Sequence, residues 1–172
     1  QEKQLTTWIQ RGRACLLYGP TGAGKTTLTS NLVNRIKEEL RCDIFYYSCD
    51  KDALPAKLQS YRLRFFKWLQ REQKKPVVIL DEIHFGDQKD IIRISALWDA
   101  REIHSVVYIQ INENPSIPQL VRRIGIHKIG MRTITRDEIA DLIRQRTGDR
   151  GVFEDAAIRH IASNCSLNPS IA

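Results

Sequence analysis

No apolar run in the 172-residue chain approaches the roughly 18 residues of a membrane span, so no membrane helix and no membrane partner is expected. The first residues, Gln1-Glu2-Lys3-Gln4, lack a secretory pattern, which makes a cytoplasmic protein the expectation. Cysteine is scarce, and Cys15, Cys42, Cys49 and Cys165 form no C-x-x-C pair. That spacing argues against a zinc or dithiol site, and the two cysteines inside apolar strands read as buried free thiols. Negative charge is in deficit: 20 acidic against 27 basic residues leave a net charge of +7. The imbalance favours a polyanionic partner, with nucleic acid the natural candidate and a solvated basic surface the bland alternative. The length fits one domain, or one domain and the start of a small second one.

Against these absences stands one dense motif. Gly19-Pro20-Thr21-Gly22-Ala23-Gly24-Lys25-Thr26 fits G-x-x-x-x-G-K-[ST], the phosphate-binding loop of nucleotide-binding proteins. Glycines allow the backbone to curl until successive N–H groups face phosphate oxygens, and the helix that follows, through Thr27, adds its positive end. Lys25 would reach the β- and γ-phosphates of ATP or ADP, and the Thr26 hydroxyl would face Mg²⁺. The setting agrees: Ala14–Tyr18 reads as a buried strand. Thr26–Leu40 reads as a helix with Leu28, Leu32, Ile36 and Leu40 on one face.

Pro76-Val77-Val78-Ile79-Leu80-Asp81-Glu82 is an apolar run ending in two carboxylates, as a buried parallel strand would be at its C-terminal end. In this Walker B arrangement Asp81 would hold Mg²⁺ partly through water, and Glu82 would deprotonate the attacking water. His84 completes D-E-x-H, a helicase signature, but the interval of 55 residues from Thr26 to Asp81 is compact for a helicase core. No Ser-Ala-Thr follows, Ser95-Ala96-Leu97 being the nearest approach. His84 reads as a polar neighbour of the strand end. Val106–Asn112 reads as a further strand, with Asn112 at the same sheet edge, facing the γ-phosphate or the attacking water. With Asp43–Ser48 as another strand and Asp90–Trp98 as a crossover helix, the order predicts an α/β fold, a doubly wound parallel sheet.

Taken together these residues resemble an AAA+ ATPase, most closely the origin-recognition and replication-initiator clade with its archaeal relatives. The likeness extends over nearly the whole chain. Glu2-Lys3-Gln4-Leu5 resembles the charged box ahead of the P-loop, Tyr46-Tyr47-Ser48-Cys49 the clade's Tyr-x-Asn-Cys strand, and Asn112 falls on sensor 1. Ile134 through Arg146 resembles the opening of the helical lid, with Thr135 as N-cap and Glu138 three residues on. The resemblance implies a five-stranded core over residues 1–131 and an incomplete lid over 132–172. It also implies self-association or pairing with a related subunit, and an arginine finger, Arg122 or Arg123, reaching a neighbour's site.

Two residues depart from the clade. Ser170 stands where sensor 2 is an Arg, which puts the coupling of lid to nucleotide in doubt and suggests slow or partner-dependent turnover. Ser48 stands where an Asn restrains the catalytic Glu; it can still donate a hydrogen bond with shorter reach. No winged-helix DNA reader follows, so a fragment of a longer protein is expected. The stretch Leu58–Arg71 reads as an aromatic, amphipathic helix, with Arg64, Lys67, Arg71, Lys74 and Lys75 as possible phosphate contacts on DNA. Two functions follow: an ATPase acting on DNA, in replication initiation, factor loading or transposition, cytoplasmic or nucleoid-associated; or a regulatory ATP/ADP switch without DNA. A small-molecule kinase lacks an identifiable acceptor site.

Overall fold

A computed structural model of the chain describes residues 1–50, 74–115, 117–125, 127–147 and 155–164. The expected helix Leu58–Arg71, Ser170 and Cys165 lie outside the described residues. Five strands form one sheet: β1 (Ala14–Tyr18), β2 (Cys42–Ser48), β3 (Lys74–Asp81), β4 (Ser105–Gln110) and β5 (Lys128–Gly130). Their order is β2-β3-β4-β1-β5 and every pairing is parallel. The expected α/β fold is therefore present. Lys74 and Lys75 open β3.

Parallel strands need cover on both faces, which is why β1 and β4 read as unbroken apolar runs. Alternate residues point to opposite sides. Leu16, Val78, Leu80, Val106 and Tyr108 pack with Ile91 and Ile94 of α3 (Gln88–Asp99) and Leu120 and Ile124 of α4 (Pro118–Ile124). Cys15, Leu17, Val77, Ile79, Val107 and Ile109 face Leu5 and Ile9 of α1 (Glu2–Gln10) and Leu32 and Ile36 of α2 (Lys25–Leu40). Arg35 ties α2 to α1 through Glu2 and the Thr6 hydroxyl, each at 2.6 Å. On the opposite face the buried hydroxyls of Ser95 and Tyr108 bond at 2.6 Å, so neither is left without a partner in the core.

One sequence expectation is extended and another corrected. The expected face of α2 packs on this core, with Leu32 and Ile36 buried and Leu28 and Leu40 partly buried, and Lys25 and Thr29 are buried beside them. Thr29 can be buried because its hydroxyl bonds the carbonyls of Lys25 and Thr26, at 3.1 and 3.0 Å. The fourth strand ends at Gln110 and does not reach Asn112, because Gly19 N–H takes the carbonyls of both Gln110 and Ile111 and closes the ladder there.

Beyond β5, α5 (Arg136–Thr147) and α6 (Asp155–Asn164) share a small cluster of Ile139, Ala140 and Ile158. Thr135 and Glu138 cap α5 reciprocally: Glu138 accepts from Thr135 N–H at 2.8 Å, and Thr135 Oγ1 accepts from Glu138 N–H at 3.3 Å. Arg132 also grips Glu138, and with the cap bonds it lowers that carboxyl to a pKa of about 2.

Candidate active site

The C-terminal ends of β1, β3 and β4 lie at one edge of the sheet, where a doubly wound fold places its ligand. The loop after β1 turns through three glycines with positive φ, Gly19 at 152°, Gly22 at 79° and Gly24 at 83°. Gly24 is the left-handed N-cap of α2 and offers no side chain, so the first N–H groups of the helix stay open to an anion. Pro20, Thr21, Thr26 and Thr27 are exposed around this opening, and Gly22, Ala23 and Gly24 are partly exposed.

Lys25 is buried, its Nζ donating to the carbonyls of Gly19 and Pro20 at 2.7 and 2.8 Å. Burial lowers its pKa, against the opposing pull of Glu82 and Asp81. Thr26 Oγ1 donates to Asp81 Oδ2 at 2.9 Å, so the P-loop and the end of β3 meet directly. Asp81 is 3% exposed and also accepts from the Tyr46 hydroxyl on Oδ2 and from Glu82 N–H on Oδ1, at 2.9 Å. Burial, then the bond to Asp81, pushes the Tyr46 phenol well above its ordinary pKa.

Glu82 leaves the strand in the left-handed region, φ 54° and ψ 45°, where a non-glycine residue carries strain. Its carboxylate lies 3.3 Å from His84 Nε2, and the His84 ring packs on exposed Phe85. Ser48 is paired in register with Asp81, but its hydroxyl donates to Asp50.

Among the other expected residues, Asn112 and Arg123 have contacts of their own. Asn112 is exposed in the bend after β4, and its carbonyl accepts from the side-chain amide of buried Gln110. Arg123 is engaged by Asp99, Nε to Oδ2 at 2.8 Å, which raises its pKa, while Arg122 is exposed one residue earlier on α4. Sequence reasoning overlooked Tyr46 and Gln110. Tyr46 had a signal: it sits two residues before Ser48, hence on the same sheet face as Asp81 and diagonal to it.

The residues fit a nucleotide with a divalent cation. A buried ammonium rests on loop carbonyls beside an uncapped helix start. A hydroxyl and a carboxylate meet where a hydrated cation takes both.

Known proteins resemble this chain in sequence and in fold. The chain is 26% identical over 164 residues to the replication factor C large subunit of Pyrobaculum calidifontis, covering 91% of this chain and 37% of that protein. In structure it is similar to Cdc6p from Pyrobaculum aerophilum, with a TM-score of 0.73 at 18% identity over 94% of this chain and 53% of the other. It is also similar to AMPPCP-bound DnaA from Aquifex aeolicus, with a TM-score of 0.69 at 16% identity over 96% and 55%. At those identities the structural likeness speaks for a shared fold. The chain thus spans 37% of the curated relative and about half of each solved chain. Residues 11–107, more than half of the chain, match the family described as AAA domain; carrying the P-loop and the Asp81-Glu82 strand end within that stretch, the chain belongs to the AAA domain family.

Proposed function

We propose that the chain is an ATP-binding AAA+ module that hydrolyses ATP slowly and acts on DNA in replication initiation or in loading a replication or transposition factor. The observation that carries the ATPase reading is the 2.9 Å junction of Thr26 with Asp81, beside buried Lys25. Residues Gly19 to Thr27 cradle the phosphates, and Lys25 moves from the loop carbonyls to the β- and γ-phosphate oxygens. Thr26 and Asp81 would hold Mg²⁺, which would supply charge neutralisation at the phosphates. Glu82 orients a water and accepts its proton. Asn112 steadies that water or the γ-phosphate, and Arg122 or Arg123 completes the site of an adjoining subunit. Residues 1–131 act as the nucleotide core and 132–172 as its lid.

Glu82→Gln tests the chemistry. We expect ATP affinity to be retained and turnover to fall by at least about a hundredfold, the usual scale for a general base; unchanged turnover would remove Glu82 from that role.

The DNA part rests on the net charge of +7, on the initiator-like fold and on the relative named for replication factor C. Binding of labelled single- and double-stranded DNA, titrated with salt in the presence and absence of ATP, decides it. On duplex DNA we expect affinity to fall with a log–log slope near −0.9 per phosphate contact. Absence of binding at low salt would leave the second reading, a regulatory nucleotide switch. That reading is favoured by the contact that holds the Glu82 carboxylate against His84 Nε2 at 3.3 Å.

A further inference from the structure

Asp81 has more hydrogen-bond donors than the Walker B arrangement requires. A carboxylate offers about four acceptor positions. Oδ2 accepts from Thr26 and from Tyr46, and Oδ1 accepts from Glu82 N–H. Among the described residues that leaves one position, on Oδ1. The group sits at 3% exposure, where an unpaired acceptor is costly and a carboxylate with fewer restraints turns about its last bond.

We propose that Tyr46 is a positioning residue for the divalent cation: its hydroxyl clamps Asp81 Oδ2 and aims the remaining acceptor position on Oδ1 toward the cation's water shell. The inference rests on the nucleotide-and-cation reading above and assigns a role to a residue of β2, the strand beside the one that carries Asp81. Tyr46 is well placed for it. Its ring packs against the α2 side of the core, so the hydroxyl is delivered from a fixed base. Thr26 reaches the same oxygen from the start of α2. Strand and helix thereby fix the carboxylate from two directions. Groups that orient metal-binding carboxylates in this way are worth about 10- to 100-fold in metal affinity when removed.

The test compares ATP affinity at graded Mg²⁺ and in EDTA for the wild type, Tyr46→Phe and Tyr47→Phe, the last being a neighbour on the opposite face of the strand. We expect Tyr46→Phe to match the wild type in EDTA and to need about tenfold more Mg²⁺ for the same gain in affinity. Tyr47→Phe should leave that requirement unchanged. An unaltered or lowered Mg²⁺ requirement in Tyr46→Phe overturns the proposal. A wild type whose ATP affinity ignores Mg²⁺ overturns the cation reading and the proposal with it, and the wild-type titration alone reveals that case. Should Tyr46→Phe fold poorly, a fluorotyrosine placed at position 46 gives a second readout by ¹⁹F NMR. Its resonance should stay where it lies in the folded protein when Mg²⁺ and ATP are added, whereas a shift to that of a solvent-exposed phenol refutes the clamp.

Discussion

Replacing Lys25 with alanine will leave the chain folded and erase its thermal response to ATP. Lys25 is 5% exposed, and its ammonium is satisfied by the carbonyls of Gly19 and Pro20. Without nucleotide the truncation removes both a buried charge and its two acceptors' donor, effects of opposite sign, so stability should change by no more than about 1 kcal/mol. With nucleotide the balance differs. Charged hydrogen bonds contribute about 1.5–3 kcal/mol each, and losing two of them weakens binding by about a hundredfold or more at 1.4 kcal/mol per tenfold. ATP at about a hundred times its Kd stabilises the wild type by about 2.7 kcal/mol, which for a domain of this size is a rise in Tm of roughly 5–10 °C. The same ATP concentration should raise the variant by about 1 °C or less. A full rise in the variant would show that Lys25 is not a phosphate ligand.

The largest loss of stability is expected at Gly19→Ala. A Cβ there would stand 2.3 Å from the Met131 carbonyl oxygen and 3.0 Å from its carbon, at φ 152°. Both obstacles are backbone. They cannot rotate aside as a side chain would, and Met131 N–H is held by the Tyr18 carbonyl at 2.7 Å, so relief means prising β5 from β1. We expect a cost of about 3 kcal/mol, at the upper end for an overpacked site, and a fall in Tm of roughly 6–12 °C. Gly125→Ala is the control, since it shares a positive φ of 53° but meets nothing within 4 Å. At φ 53° and ψ −119° it lies outside the left-handed helical region, so backbone strain alone should cost about 2 kcal/mol. Equal losses at the two positions would mean that conformation, not the approach of Met131, governs Gly19.

Much of this arrangement was legible because it is local. The bounds of β1, the P-loop and the apolar run ending in Asp81-Glu82 each follow from neighbouring residues whose pattern has one good structural solution. What escaped depends on meetings between distant segments. Periodicity put Leu28, Leu32, Ile36 and Leu40 on the inner face of α2, where they pack, but it did not show that Lys25 and Thr29 are buried beside them, because the polar centre lies under the first turns of the helix. Nothing near Arg123 in sequence names Asp99 as its partner, since the contact joins the ends of two helices. Asn112 lay in line with an apolar run, but the ladder stops where β1 gives way to the P-loop, and Gln110 takes the buried position instead. Tyr46 falls between these cases: its parity with Asp81 is in the strand pattern, but its use as a donor depends on pairing β2 with β3.

The position of β1 in the sheet bears on how the chain assembles. Its partners come from far along the sequence: Ala14 pairs with Val106 of β4, and Leu16 with Lys128 of β5. Such long-range pairings must overcome loop-closure entropy before they are rewarded, and sheets built from them form slowly. A nascent chain that has emerged only through β3 already contains the entire strand–loop–helix sequence, but neither flank that holds Gly19 and Tyr18 in place. On the function proposed above, nucleotide capture is therefore a late event in folding, one that would report that both halves of the chain have come together.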